Sequence, residues 1–306
     1  MIRAEKIHDL TVASSPNGDH PPHISAASGL VRHAGHIFIV ADDELSLLVV
    51  NADDLGPGHF MPILEGSLPK DHEARQKAKA DLESIAWLPP SGRLEHGSLL
   101  AMGSGSSDER NRGALIPLDR DAKPTEEHDP IDLQPLFDKL GSEVQGLNVE
   151  GAEVVGETLW LMQRGNEGGD NALINLSLEV VMRGLGRGII PADALRSVDH
   201  VDLGELEGVK LCFSDASALA DGRIVFAASA EDTDAATSDG ANAGSALGII
   251  EQDGSIGPID RLDQTVKVEG IDARVVGAEI EVLMVTDADD PDTPSPLLLA
   301  KLSDPA

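Results

Sequence analysis

Short aliphatic and β-branched segments follow one another along nearly the whole chain, and Gly, Pro, Asp or Asn breaks them at close intervals. Segments of this length and composition are typical of β-strands that are joined by turns. The hydrophobic fraction of 41% is enough to build a sizeable core. The pattern therefore predicts an all-β protein.

The same order of segments recurs five times. Each copy opens with two apolar segments around a turn, and the openings are ASGLVRHAGHIFIVADD from Ala27, ESIAWLPPSGRLEHGSLLAMGSGSS from Glu83, EGAEVVGETLWLMQRGN from Glu150, DASALADGRIVFAASAED from Asp215 and EGIDARVVGAEIEVLMVTDADD from Glu269. A third apolar segment follows in every copy, and a fourth, more polar segment such as GHFMPILEG or IDLQPLFDK follows in four of them. Copies that start 54 to 67 residues apart suit the four-stranded blades of a β-propeller.

The fifth copy has no fourth segment, but AEKIHDLTV, residues 4–12, has the pattern of one. If this segment completes the last blade, it closes the ring and removes an open sheet edge. We therefore predict a single five-bladed β-propeller over residues 1–306. Its blades are expected near residues 26–66, 82–139, 149–206, 214–265 and 268–303 plus 4–12.

Two other architectures stay open. Six blades would require a further sheet within residues 182–196, although this segment looks more like a loop with one short helical turn. Two stacked β domains of unrelated origin would leave the five copies unexplained. The five-bladed ring is therefore the favoured interpretation.

The charge of the chain restricts its partners. Asp and Glu outnumber Lys and Arg by 54 to 23, which gives a net charge of −31. Such a field repels phosphate, so neither nucleic acid nor an anionic membrane is expected as a partner. No apolar stretch is long enough to span a bilayer and no signal-peptide pattern opens the sequence, so we expect a cytoplasmic protein. A small anionic ligand or an unknown protein partner remains possible.

Four copies open with an acid, and in a propeller the first strand of each blade lines the central axis. We therefore expect Glu83, Glu150, Asp215 and Glu269 to converge there, with Ala27 at the fifth position. Crowded carboxylates repel one another, and Ca²⁺ or another divalent cation would relieve this. Bound water or an arginine would also relieve it, and Arg164 is the candidate. Alternatively, each acid accepts hydrogen bonds from the backbone of the neighbouring strand and holds the ring together.

The ends of the second strands supply further polar residues near the same channel mouth, including Asp42 and Glu231. Among them, Arg164, Asn166 and Asp287 are candidate ligand-binding residues. The basic segment LPKDHEARQKAKADLE, residues 68–83, is predicted to form a short helix over the mouth. Its Lys77 and Lys79 could hold an anionic substrate there. The alternative is a solvated helix that pairs with its own acids.

The strand openings LESIAWLPPSGRL, VEGAEVVGETLWL and VEGIDARVVGAEIEVL resemble those of uncharacterised bacterial phytase-like (esterase-like) propellers. More loosely, they are similar to gluconolactonase–regucalcin propellers, where Ca²⁺ or Zn²⁺ lies among carboxylates. The resemblance implies a propeller with a polar, metal-bearing channel.

Two classes of function follow. In a metal-assisted hydrolase or lactonase acting on a small anionic or sugar-derived ester, Glu83, Glu150, Asp215 and Glu269 would hold the ion, and Arg164 or Lys79 would polarise the substrate. In a non-catalytic propeller, the same mouth would bind a ligand or a protein.

Overall fold

The structure, a computed structural model, describes residues 1–13, 22–69, 71–165, 168–232, 241–288 and 290–304. Within these residues the strands form five antiparallel sheets. One strand from each sheet, which we call the inner strand, lies next to the central axis. The five inner strands pack side by side in the order of the chain, and the first packs against the fifth. The protein is an all-β, five-bladed β-propeller, which confirms the prediction.

The blades follow one another along the sequence, and each contains four main strands. Blade 1 is formed by β2 (Ala27–His33), β3 (His36–Ala41), β4 (Ser46–Asn51) and β5 (His59–Pro62). Blade 2 is formed by β6 (Leu82–Leu88), β7 (Ser98–Gly103), β8 (Arg112–Pro117) and β9 (Asp129–Asp132). Blade 3 is formed by β10 (Val149–Val155), β11 (Thr158–Gln163), β12 (Asn171–Ser177) and β13 (Leu195–Val201). Blade 4 is formed by the two-residue β14 (Glu205–Leu206), β15 (Val209–Ala218), β16 (Ile224–Asp232), β17 (Ala241–Ile250) and β18 (Ile256–Arg261).

Blade 5 closes the ring with a strand from the start of the chain. Its strands are β19 (Lys267–Val276), β20 (Glu279–Asp287), β21 (Pro296–Ser303) and β1 (Ala4–Asp9). The first strand, β1, pairs antiparallel with β21, so that Ala4 lies opposite Ala300 and Asp9 opposite Pro296. This pairing confirms the predicted ring closure. It covers the open edge that the last blade would otherwise present.

Five apolar clusters hold the blades together, and each lies between two neighbouring blades. Phe38 of blade 1 and Leu99 of blade 2 belong to one cluster. Phe213 and Phe226 of blade 4 meet edge to face, with ring centroids 5.2 Å apart, in the cluster shared with blade 3. Since each pair of neighbouring blades buries aliphatic or aromatic surface between them, the hydrophobic effect stabilises the ring as a whole.

Helices connect some of the strands. They are α1 (His72–Ala78), α2 (Gln134–Leu140) and α3 (Leu178–Leu185), with short 3₁₀ turns at Asp108–Arg110 and Ala192–Ala194. The helix predicted in the basic segment is present as α1. In the described part of the chain, none of the helices is long and apolar enough to cross a membrane.

One segment differs from the strand pattern expected of it, and another lacks the extra sheet that a sixth blade would need. In IDLQPLFDK only the first residues form β9, and the rest forms α2, whose Leu136, Phe137 and Leu140 are buried. Spacing of one and four residues places these side chains on one helix face, so burial favours the helix. Residues 182–196 contain the end of α3, a 3₁₀ turn and the start of β13, so no sixth blade lies there.

Each inner strand contains a β-bulge, where its register against the second strand shifts by one residue. The bulged residues are Glu83, Glu150 and Glu269 in blades 2, 3 and 5. In blade 4 the bulged residue is Ser214, since Phe213 and Asp215 pair with successive residues of β16. The sequence alignment of blade 4 was therefore wrong by one residue, and a slip of one residue in a strand moves a side chain to the other side.

The position after the bulge faces the next blade at close range. A Cβ on Gly151 would lie 2.9 Å from Cα of Asp215, and one on Gly270 would lie 2.5 Å from the backbone oxygen of Ser28. Glycine at these positions therefore lets adjacent inner strands approach. Asp215 occupies the same position in blade 4.

Candidate functional site

One mouth of the channel is lined by buried and half-buried charged side chains. The starts of the inner strands and the ends of the second strands meet there, because neighbouring strands within a blade are antiparallel. We call this group the charged mouth; it consists of seven acids and four bases, namely Asp42, Asp81, Glu83, Glu150, Glu231, Glu269, Asp287, Lys79, Arg110, Arg164 and Lys267.

Arg164, at the end of β11, joins acids from three blades. Its Nη2 lies 2.7 Å from Oε2 of Glu231, and its Nη1 lies 3.4 Å from Oε2 of Glu150 and 4.0 Å from Oε1 of Glu269. Burial alone would lower the pKa of Arg164, but these carboxylates outweigh it and the net shift is upward. Arg164 is thus the internal counter-ion of Glu150 that its sequence position indicated.

Lys267 and Glu269 form a second ion pair in blade 5. Lys267 Nζ lies 3.2 Å from Oε1 of Glu269 and 3.4 Å from Oδ2 of Asp287. The other oxygen of Glu269, Oε2, is buried and accepts no hydrogen bond from the described residues. Burial raises the pKa of Glu269, although Lys267 and Arg164 oppose the shift.

Blades 1 and 2 contribute a separate group of three acids. One carboxylate oxygen from each of Asp42, Asp81 and Glu83 lies within 4.8 Å of the other two. Lys79 Nζ contacts Asp42 and lies 2.9 Å from Oδ1 of Asp81. The other carboxylate oxygen of Asp81, Oδ2, lies 2.8 Å from Nη1 of Arg110. These three acids form the group in the described residues that could hold a metal ion.

The backbone around Asp81 is shaped for this arrangement. The residue has a φ of 54°, in the left-handed region that Asp and Asn tolerate better than most residues. Its Oδ2 accepts a hydrogen bond of 2.5 Å from the hydroxyl of Ser104 at the end of the neighbouring strand. The turn between α1 and β6 therefore brings both Lys79 and Asp81 into the channel.

Crowding and burial hold protons on several of these carboxyl groups. Burial raises the pKa of Glu150 to about 7, with Arg164 opposing and Glu269 adding to the shift. Burial also raises the pKa of Asp42 to about 7, against the effect of Lys79. Burial and then the neighbouring Glu150 and Asp81 raise the pKa of Glu83 well above its usual range. The charged mouth can therefore bind and release protons near neutral pH.

The remaining predicted site residues have different environments. Asp215 lies between blades 4 and 5, where its Oδ2 accepts a hydrogen bond of 2.8 Å from the backbone N–H of Ile271. Burial raises the pKa of this carboxyl well above its usual range. Lys77 is exposed on α1, on the same short helix that leads to the buried Lys79. Asn166 lies outside the described residues.

Three members of the charged mouth were not singled out from the sequence: Asp81, Arg110 and Lys267. A signal exists for Lys267, since it lies two residues before Glu269. Side chains two residues apart in an extended segment point to the same side. For Arg110 the sequence holds no comparable signal, because a 3₁₀ turn places it.

The fold and the charged mouth define a five-bladed propeller with an ion-pair cluster at one end of its channel. The chain belongs to a family described as "Family of unknown function (DUF6929)", whose model matches residues 23–302. No curated protein sequence matches the chain.

Solved propeller structures resemble the whole chain at low sequence identity. A luciferin-regenerating enzyme is 9% identical with a TM-score of 0.49, and the match covers 99% of this chain and 96% of that one. Glutaminyl cyclase of Myxococcus xanthus is 13% identical with a TM-score of 0.49, covering 99% and 98%. A thermostable family-43 glycoside hydrolase is 12% identical with a TM-score of 0.44, covering 90% and 89%. These similarities concern the fold alone.

Proposed function

We propose that the charged mouth binds a divalent cation through Asp42, Asp81 and Glu83 and uses it to hydrolyse a small anionic or sugar-derived ester. The observation that carries the proposal is the spacing of the three carboxylate oxygens, which lie within 4.8 Å of one another. A hard cation such as Ca²⁺ takes oxygen ligands at about 2.3–2.6 Å, so donors at this spacing can share one ion. The resemblance of the strand openings to gluconolactonase–regucalcin propellers supports the same class.

The ion-binding group differs from the four acids that the sequence suggested. Of those four, Glu83 belongs to the group. Glu150 and Glu269 instead contact Arg164 and Lys267, and Asp215 accepts a backbone hydrogen bond from the next blade. Glu150, Glu269 and Asp215 are therefore not among the three acids whose oxygens lie at the spacing of one ion.

Binding of a cation has two requirements here. Lys79 contacts two of the three acids, so its ammonium group must give way to the ion. Glu83, whose pKa is raised, must release its proton. Because protons leave as the ion binds, the affinity for the cation should rise with pH.

The neighbouring residues suit hydrolysis. A bound divalent cation supplies a Lewis acid that polarises an ester carbonyl or lowers the pKa of water. Glu150, with a pKa of about 7, is matched to accept a proton from water at neutral pH. Arg164 holds this carboxylate in place through its contact at 3.4 Å.

A second candidate is a non-catalytic propeller that binds a small anionic ligand or a protein partner at the same mouth. The observation that favours it is the position of Lys79, whose ammonium group already neutralises Asp42 and Asp81. In this case the ion pairs are structural, and ligands would bind to them from outside.

Calorimetric titration with Ca²⁺ and with Mn²⁺ distinguishes the two candidates. We expect stoichiometric binding to the wild type, tighter at pH 8 than at pH 6. Glu83→Gln should weaken binding about tenfold or more, since it replaces a ligand by a neutral group that resembles protonated Glu83. Lys79→Met should strengthen binding, because it removes the competing cation. Glu157→Gln, at an exposed turn of blade 3, is the control and should bind as the wild type does.

Hydrolysis is tested separately with small lactones and with carboxylate-bearing and sugar-derived esters. Glu150→Gln should lower kcat about 100-fold or more while the protein still binds the cation, since proton transfer by a positioned side chain contributes about 10²–10⁴-fold. If the wild type binds neither ion, the metal proposal is wrong and the binding scaffold remains. If it binds an ion but hydrolyses none of the esters, the catalytic part is wrong.

A further inference from the structure

The opposite mouth of the channel, where the inner strands end, contains a cavity of about 490 Å³. We call it the second mouth. The charged and aromatic side chains that line it are Arg32, His33, Trp87, Glu153, Asp272 and Arg274. They come from blades 1, 2, 3 and 5, so the cavity is a product of the closed ring. A volume of this size accommodates a small organic molecule.

Two guanidinium groups share one carboxylate in this cavity. Arg32 donates from its backbone N–H to Oδ2 of Asp272 and from Nε to Oδ1, each at 2.9 Å. Arg274 Nε lies 3.3 Å from the same Oδ1. With one acid between two bases, the group carries a net positive charge.

Donors in this group remain available to a ligand. Nη2 of Arg32 is buried and has no hydrogen-bond partner among the described residues. Nη2 of Arg274 donates to the backbone oxygen of Arg32 at 2.5 Å, but the side chain is 45% exposed, so a ligand in the cavity can reach the rest of its guanidinium group. A guanidinium next to a cavity is suited to pair with a carboxylate in a bidentate manner.

Burial shifts the pKa values of the other titratable groups of the second mouth towards their neutral forms. Burial, followed by the charge of Arg274, lowers the pKa of His33. Burial raises the pKa of Glu153 to about 7, although its carboxylate accepts backbone hydrogen bonds from Val154 and Ala218. The second mouth is thus a positive region in a chain whose net charge is −31, and such a region attracts anions.

The rest of the lining is aromatic and aliphatic. The rings of His33 and Trp87 stack with centroids 4.9 Å apart and planes inclined by 22°. Leu30, Val154 and Leu219 add aliphatic surface. Apolar walls with a few placed polar groups are typical of small-molecule sites.

We propose that the second mouth binds a small organic carboxylate, whose charged group pairs with Arg274 and Arg32 and whose aromatic or aliphatic body packs against Trp87 and the aliphatic lining. This site is separate from the charged mouth, and it requires no metal. An anion of this kind would be excluded from most of the acidic surface but not from this cavity.

Titration calorimetry with defined probes tests the proposal. The probes are phenylacetate and hexanoate, with phenylacetamide as the neutral analogue and benzylamine as the cationic one. Both carboxylates should bind the wild-type protein, and the amide and the amine should bind about tenfold more weakly or not at all, since charge-assisted hydrogen bonds are the stronger ones. Equal affinity for the acid and its amide, or preference for the amine, would overturn the proposal, as would the absence of binding by either acid.

Variants assign the binding to the second mouth. Arg274→Gln should weaken carboxylate binding about tenfold. Lys301→Gln is the matched control, because Lys301 lies in the same blade, is 51% exposed and also pairs with acids. Glu153→Gln keeps the shape of the cavity and removes its remaining negative charge, so binding at pH 8 should be unchanged or tighter. Wild-type affinity in Arg274→Gln, or weaker binding in Glu153→Gln, contradicts the proposal.

Discussion

Buried carboxylates at the starts of the inner strands take partners from two residues earlier in the chain. Asn148 Nδ2 donates to Oε1 of Glu150 at 2.5 Å, and Lys267 Nζ lies 3.2 Å from Oε1 of Glu269. Such pairing is needed because a buried charge without a partner is costly. Arg164 then links acids of three blades, so it is the residue on which the electrostatic balance of the mouth depends most.

Replacement of Arg164 by Met should therefore destabilise the protein by about 3–5 kcal/mol at pH 8, where Glu150, Glu231 and Glu269 would be left without this cation. The loss should be smaller at pH 5, because Glu150, whose pKa is about 7, is protonated there and needs no counter-ion. Urea unfolding at both pH values measures the effect. The control Arg261→Met removes an exposed pair with Glu207 and should cost about 1 kcal/mol or less. Equal losses for the two variants would show that Arg164 does not hold the acids together.

The positions of single site residues were harder to predict from the sequence than the strands. Glu83, Glu150 and Glu269 could be placed at the channel because each precedes a repeated apolar segment. Asp215 could not, since the bulge in blade 4 falls on Ser214 and no sequence pattern marks a bulge of this kind. Asp81 was missed because its position depends on a left-handed turn after α1.

Among the strands, the fold depends on one from the start of the chain that completes the sheet formed by the last three strands. The fourth strand of blade 5 is β1, and its pairing with β21 covers an edge that would otherwise be exposed. Five repeated segments and one matching segment at the N-terminal side made this closure predictable. The helix α2 was not predictable in the same way, because a segment of nine residues with mixed apolar and polar positions suits either a strand or a helix.

Deletion of residues 1–12 should expose the edge of β21 and produce a less stable, aggregation-prone protein. A circular permutant that begins at residue 22 and carries residues 1–13 after residue 306 should recover the stability of the wild type. In the permutant β21 and β1 form a hairpin, since Ala4 lies opposite Ala300. Thermal unfolding and light scattering of the three proteins measure the difference. If the deletion variant is as stable and soluble as the wild type, β1 does not close the ring.

At the scale of the whole molecule, the ring has two unlike ends. The charged mouth contains more acids than bases and holds protons on buried carboxyl groups, whereas the second mouth is positive and lined by apolar side chains. Around both ends lies a surface that contributes to a net charge of −31. Self-repulsion of this charge disfavours the compact state, and partial protonation of buried acids reduces it.

Stability should therefore fall as the pH rises from about 5 to about 7. Asp42, Glu150 and Glu153 have pKa values near 7 in the folded protein, and unfolded carboxyl groups release their protons at about pH 4. In this window the folded state holds more protons than the unfolded state, so stability is lost with rising pH. Thermal unfolding across pH 5–8 measures the slope.

Glu153→Gln isolates one of these groups. It should raise stability at pH 8 by about 1–3 kcal/mol and change it little at pH 5, because it removes the charge that burial disfavours. Its matched control is Glu157→Gln in the exposed turn that follows, which should leave the slope unchanged. An unaltered slope in Glu153→Gln would mean that Glu153 is ionised in the folded protein at neutral pH.

Cation binding at the charged mouth is tested most directly by anomalous X-ray diffraction from crystals of the wild-type protein soaked in Mn²⁺ at pH 8. Carboxylates suit Mn²⁺ as they suit Ca²⁺, and its anomalous signal locates the ion without assumptions about chemistry. We predict a peak between the carboxylates of Asp42, Asp81 and Glu83, with the ammonium group of Lys79 moved away from them, and no such peak in Glu83→Gln crystals. A wild-type structure without a peak there, in which Lys79 keeps its contacts with Asp42 and Asp81, would contradict the proposal that these acids bind a cation.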